Sequence, residues 1–224
     1  MVFEVGPGPG FASRELLRLG ADPLFAIEPD PRLTRYLRAT LRPRSRVRVV
    51  RATFEDAALP EGSFDLGVAA TSFHWIHGRR GVPKVARLLK PGGWWAMWWN
   101  RYGDPDRRGR FFEAIQPLYT SRATARARWV RRARRGERLE TSRRLALLGA
   151  SGSFDRISYE LLRWSVTLTA PAVRGLWATF GEVTKMTPKA RRRFLDGIER
   201  IAREEFGGRV RIDMRTPMYT ARRG

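Results

Sequence analysis

The chain has 224 residues and a hydrophobic fraction of 42%, enough for one sizeable core or a core with a subdomain. It holds no cysteine, which excludes a disulfide framework, a thiolate metal site and a cysteine nucleophile. The formal net charge is +22, with Lys84, Lys90, Lys185 and Lys189 the only lysines; this fits a nucleic-acid or anionic-surface partner, or a compositional bias, since the arginines spread along the whole chain.

Val2–Val5 is a short apolar run and predicts the first strand. Residues 11–19 follow as a helix with Ala12, Leu16 and Leu19 on one face, stopped by Gly20. Leu24–Ile27 is the second strand, and Asp30-Pro31 makes an N-cap and first-turn pair. The helix they open carries Leu33, Tyr36, Leu37 and Leu41 at helical spacing. Val47–Val50 is the third strand and Phe64–Ala70 the fourth, after the turn Glu61-Gly62-Ser63. Residues 82–89 read as helix and end at Lys90-Pro91-Gly92-Gly93, where residues 94–99 begin a fifth strand. That strand is apolar throughout, as a central strand is, and its four tryptophans alternate to both faces. They read mainly as core, with a stacking platform for bases as the other reading.

The pattern changes after Asn100. Residues 101–110 are polar and predict a loop, and 111–119 a helix. Between Arg107 and Arg144 stand thirteen arginines against three glutamates, a solvated helical excursion. Residues 157–168 predict a strand, 171–180 a helix, and Thr187-Pro188 opens a stronger helix with Phe194, Leu195, Ile198 and Ile201 on one face. Gly207-Gly208 closes it, and Val210, Ile212 and Met214 alternate with charged residues as a half-exposed strand near a sheet edge. No leader of basic then apolar residues and no long apolar stretch is present, so the reading is a cytoplasmic protein with no membrane partner.

Strands alternating with helices predict an α/β fold, a parallel sheet covered on both faces. In such sheets ligands bind at the carboxyl ends of the strands, near the point where strand order reverses. The first strand delivers Gly6, Gly8 and Gly10 there, led by Glu4. Phe11 stands where a dinucleotide motif has its third glycine, which argues against a nicotinamide oxidoreductase. The second strand ends in Glu28, an acceptor able to take both ribose hydroxyls, one βα unit after the glycines. Each signal has a plain reading too, a tight strand–helix turn and a surface acid before Pro29.

The segments "FEVGPGPG", "FAIEPD", "VVRATFEDAALPEGSFDLGVAATSFHWI" and "ARLLKPGGWWAMWWN" make the sequence resemble a class I S-adenosylmethionine-dependent methyltransferase. "SFHW" and "FFEAIQPLY" are similar to the small-molecule branch that holds the type 11 and trans-aconitate-type enzymes. The resemblance covers residues 1–100 closely and 101–224 loosely. It implies a Rossmann-like seven-stranded sheet in the order 3-2-1-4-5-7-6, the seventh strand antiparallel, with helices on both faces. It also implies one methyltransferase domain: a cofactor core at 1–100, a variable helical lid and acceptor region at 101–206, and the terminal strand at 207–224. S-adenosylmethionine would be the cofactor and S-adenosylhomocysteine its product. Gly6, Gly8 and Gly10 would pass beneath its methionine and ribose parts, and Glu4 would help hold the amino group. Glu28, with Pro29 beside it, would take the ribose hydroxyls. Phe54 and Glu55 would border the adenine, and Thr71, Ser72 and Phe73 would form the floor beneath the sulfonium. No metal is implied.

Methyl transfer is an in-line displacement at an already activated carbon, so positioning does most of the work. A general base helps only where the acceptor has a proton to lose. His74, after the fourth strand, is the candidate for that base, with a structural role beside Trp75 as the alternative, while His77 reads as an exposed loop residue. The expected partner is a small molecule bearing a carboxylate, hydroxyl or amine. Two rivals use the same fold: a nucleic-acid methyltransferase working through the basic surface, and a truncated, non-catalytic cofactor-binding domain. Against the first, "AATS" replaces the motif of amino-directed base methylation. Two departures from the family pattern stand out. The usual helical segment before strand one is not in this sequence, which leaves a late start or a more open ligand site as readings. Gly67 sits inside the fourth strand, where a glycine weakens pairing.

Overall fold

The computed structural model describes residues 1–41, 46–104, 106–107, 109–119 and 124–224, with the side chains of 124–135 and 137 left out. Eight strands are described: β1 (Val2–Val5), β2 (Leu24–Ile27), β3 (Val47–Val50), β4 (Phe64–Ala70), β5 (Leu89–Trp98), β6 (Arg101–Tyr102), β7 (Phe154–Thr169) and β8 (Arg209–Arg223). The helices are α1 (Phe11–Arg18), α2 (Pro31–Leu41), α3 (Gly78–Leu88), α4 (Arg110–Ala114), α5 (Thr124–Gly149), α6 (Ala170–Ala178), α7 (Gly181–Thr184) and α8 (Pro188–Glu204). The strands follow the order β3-β2-β1-β4-β5-β8-β6, with β7 paired to β8 off this path. Pairs among β1 to β5 are parallel, and β8 runs antiparallel to β5. Setting aside the two-residue β6, this is the expected seven-stranded order.

The local chemistry explains the helix starts. The Asp30 carboxylate accepts the Arg32 and Leu33 N–H groups at 2.7 and 3.3 Å, with Pro31 first in α2. Thr187 caps α8 in the same way, accepting from the Ala190 N–H at 3.4 Å. Several expectations need correction. β5 begins at Leu89, ahead of the expected turn, but Lys90-Pro91-Gly92-Gly93 still break the ladder, since pairing jumps from Phe64–Leu89 to Leu66–Trp94 and Gly92 has φ 79°; α3 begins four residues early at Gly78 with Pro83 inside it. The helix expected over 111–119 ends at Ala114 and gives way to a 3-10 turn at Gln116–Leu118, because Pro117 has no N–H to continue it. Part of the loop expected at 101–110 is β6, and residues 105 and 108 of it, like 120–123 of the arginine-rich excursion, lie outside the described residues. β8 is half-exposed as expected, with Val210, Ile212 and Met214 buried and Arg209 and Arg211 exposed between them, and its pairing with β5, β6 and β7 sets it one place in from the sheet edge.

Two compact units divide the chain. Unit 1 holds Met1–Asn100, Glu140–Leu161 and Thr216–Gly224. Its core is aromatic. Phe3 lies in stacked contact with Trp95 at 5.9 Å and Phe54 at 6.0 Å, and edge-on to Phe64 at 5.1 Å. Such pairs add about 0.5–1.5 kcal/mol each beyond the area they bury. This core explains Gly67: a Cβ there would lie 2.2 Å from Phe3 Cζ, so the side-chain space in β4 is taken by the neighbouring strand's ring. In β5, Trp95 and Met97 are buried, and Trp99 just beyond the strand is buried too; Trp94 and Trp98 on the opposite face are only partly covered, so only one face of the strand is core. Unit 2 holds Arg101–Leu139 and Leu162–Arg215. Its core joins Phe111, Val173, Trp177, Leu195, Ile198 and Val210. Among the described residues, no helix is long and apolar enough to cross a membrane.

Candidate functional site

β1 ends at Val5 and the chain turns through Gly6, Gly8 and Gly10, at φ of 64°, 56° and 79°. This left-handed region disfavours any residue with a Cβ. Gly6 is also closed sterically, since a Cβ would lie 2.6 Å from the Cβ of Ser72. Ser72 in turn donates its hydroxyl to the Val5 carbonyl, tying the loop after β4 to the turn after β1. At Gly8 nothing lies within 4 Å of the Cβ position. Its backbone borders open space, and its N–H donates to Glu28 Oε2 at 3.1 Å.

Two buried acids underlie this turn. Glu28 is 5% exposed and its other oxygen accepts the Asp30 N–H at 3.0 Å. Glu4 is 1% exposed and accepts the Ser13 hydroxyl at 2.5 Å. Burial pushes the Glu4 carboxyl up to about 7; the Ser13 hydrogen bond opposes this and the charge of Glu28 adds to it. Among the described residues, neither acid forms a salt bridge with any lysine or arginine. Ser13 escaped the sequence reading, because a lone serine in a helical first turn gives no signal until the sheet is placed beneath it.

The other predicted residues spread around the carboxyl ends of the strands. Thr71 has φ 59°, and its N–H donates to the Trp98 carbonyl at 2.8 Å. A β-branched residue there is strained, and such strain concentrates at functional sites. Ser72 and Phe73 are buried behind it, while Pro29 is exposed. Phe54 is packed into the aromatic core, with Lys84 Nζ 5.5 Å from its ring centroid. The Glu55 carboxylate accepts the His77 N–H at 3.0 Å, joining the loops after β3 and β4.

His74 sits in a 3-10 turn, Phe73–Trp75, directly after the strained Thr71 and buried Ser72. Its Nδ1 accepts the Trp99 indole N–H at 3.0 Å. The Trp99 ring is itself flanked by the Arg144 guanidinium, 3.5 Å from its centroid, and by Tyr219 at 6.0 Å. Arg144 is ion-paired with Glu140, one turn earlier on α5. Burial and the Arg144 charge hold the His74 imidazole below its ordinary value, with Glu140 opposing them. Trp99 was hidden from the sequence reading inside an apolar tryptophan run.

A family described as a methyltransferase domain matches residues 3–97. An uncharacterized methyltransferase of Mycobacterium tuberculosis is 33% identical over 99 residues, which is 44% of this chain and 39% of that protein. The chain thus spans well under half the length of the curated relatives it matches. Among solved structures, a protein provisionally described as a type II methyltransferase from Anaeromyxobacter dehalogenans superposes with a TM-score of 0.64 at 21% identity, covering 99% of this chain and 88% of that one. The geranyl diphosphate C-methyltransferase of Streptomyces coelicolor, solved with Mg2+, geranyl diphosphate and S-adenosyl-L-homocysteine, does so with 0.52 at 12% identity, covering 100% and 72%. At these identities the likeness is one of fold.

Proposed function

We propose that this chain, whose residues 3–97 belong to the class I S-adenosylmethionine-dependent methyltransferases, carries the methyl group of S-adenosylmethionine to a small-molecule acceptor. The observation that carries the reading is the pair of buried acids, Glu4 and Glu28, set without a salt-bridge partner among the described residues of a chain with 44 basic ones. A cationic ligand that also offers hydroxyl groups fits that lining. S-adenosylmethionine has an ammonium, a sulfonium and a ribose diol, and when bound it supplies a methyl carbon already activated by positive sulfur.

The chain's own part is binding and alignment. Glu28 accepts one backbone N–H on each oxygen, from Gly8 and Asp30, and would take the ribose hydroxyls on its remaining lone pairs. Glu4 becomes fully ionised when an ammonium stands near it, because a positive neighbour offsets the burial that raises its pKa. The glycine turn admits the ligand against bare backbone, and Thr71, Ser72 and Phe73 support it from the β4 side, with Pro29 and Glu55 on the adenosine side; Phe54, expected there too, is instead held in the aromatic core against Phe3. Holding the acceptor in line and dry contributes up to ~7–11 kcal/mol in favourable cases. His74 faces the acceptor.

Calorimetric titration with S-adenosylhomocysteine tests the reading. Micromolar binding that Glu28→Ala loses supports it; a folded chain that takes up no ligand sinks it. A second reading, a nucleic-acid acceptor, draws on a cavity of about 380 Å³ beside α2 whose lining includes Arg35, Arg38 and Arg51. RNA binding that weakens steeply as salt rises, and is lost when these three become glutamine, would favour it.

A further inference from the structure

The Trp99 indole nitrogen only donates, so the imidazole nitrogen it faces at 3.0 Å carries no proton. A neutral imidazole holds one proton, and here that proton is on Nε2. The opposite tautomer would set two N–H groups against each other. The indole cannot readily swing away to allow it. Trp99 is 7% exposed, its ring lies edge-on to Tyr219, and the Arg144 guanidinium covers its face. The charged groups around His74 are Arg144 and Glu140 from α5; Trp99 meets it from the end of β5, and Trp75 of its own turn packs at 4.8 Å.

We infer that His74 is a fixed hydrogen-bond donor toward the acceptor, through Nε2–H, and not a general base. The inference rests on the methyltransferase reading of the site. A base at Nε2 needs its lone pair there, which puts the proton on Nδ1 against Trp99. A base at Nδ1 has to displace the indole. His74 is therefore a positioning residue. It suits an acceptor whose attacking oxygen arrives already ionised, as in a carboxylate. That oxygen forms its bond to the methyl carbon as the carbon–sulfur bond breaks. The bonding pair leaves with sulfur, and no proton moves. An alcohol or an ammonium would still have a proton to lose, with no base at this position to take it.

Nuclear magnetic resonance reads the tautomer without any acceptor. The full chain is labelled with 15N-histidine, and His77→Gln identifies which of the two histidines is which. Long-range 1H–15N correlations are recorded above the imidazole titration. A bare-nitrogen shift on Nδ1 and a protonated one on Nε2 is the expected result, and Trp99→Phe should move both toward the averaged pattern of free histidine. A proton on Nδ1, or averaged shifts in the unaltered chain, overturns the inference, as does a pattern unchanged by Trp99→Phe. If that variant fails to fold, the pattern of the unaltered chain decides alone. The readout is independent of the S-adenosylhomocysteine titration, so failure of the methyltransferase reading and failure of this assignment are separate results.

Discussion

Both units bury carboxylates, and they treat them in opposite ways. In unit 2 the Asp104 side chain is 1% exposed and lies 3.1 Å from Arg163 and 3.9 Å from both Arg107 and Arg215. In unit 1, Glu4 and Glu28 are met by a serine hydroxyl and backbone N–H groups. The chain has arginine in excess everywhere, so its absence from these two acids is the informative difference. An acid surrounded by guanidinium groups is a structural anchor. A buried acid without such a partner can still gain from a positive ligand.

Breaking the anchor should have the largest effect. Asp104→Ala leaves the buried Arg215 guanidinium without that carboxylate, and a loss of about 3–5 kcal/mol is expected in urea unfolding. Glu4→Gln should do the reverse in unit 1. The folded-state value of Glu4 is raised from 4.5 to about 7, so the folded protein holds an extra proton between these values. Stability from this group is full below about pH 4.5 and is lost as pH rises to about 7, a change on the order of 3 kcal/mol. The glutamine variant should lose that slope and be more stable than the parent at pH 8, while binding the cofactor more weakly. Equal pH slopes in the two proteins would remove Glu4 from the comparison.

Two smaller effects sharpen the picture of unit 1 alone. Gly67→Val drives a side chain into the Phe3 ring and should lower stability by about 1–3 kcal/mol, read as a fall in the thermal midpoint. Thr71→Gly relieves the left-handed strain, and should change stability by less than about 1 kcal/mol because the glycine also loosens the unfolded chain. Its effect should show instead in cofactor affinity. A large stability change with unaltered affinity would argue that Thr71 serves the fold only.

The first four strands were readable because each is a short, mostly apolar run bounded by turn residues, and the glycine turn because three glycines at alternate positions have few other uses. Asp30-Pro31 likewise states its helix start in two residues. The departures came where neighbours decide. Lys90-Pro91-Gly92-Gly93 reads as a loop and does bulge out of the pairing, yet Leu89 before it already pairs with Phe64, so β5 begins ahead of the turn. The alternation at Val210, Ile212 and Met214 reads as a half-exposed strand near a sheet edge, and the pairing of β8 with β5, β6 and β7 sets it one place in from that edge.

From the sequence alone came the α/β alternation, the strand order implied by the family resemblance, and the glycines and acids of the site. These are local: period, turn chemistry and spacing are written along the chain. Only the tertiary structure decided why Gly67 is a glycine, that Ser13 meets Glu4, and that Trp99 faces His74. Each depends on residues brought together from separate strands and helices, through contacts whose energy depends on distance in space. No linear pattern records such a distance, so the identity of a residue could be read before its partner, and its protonation could not.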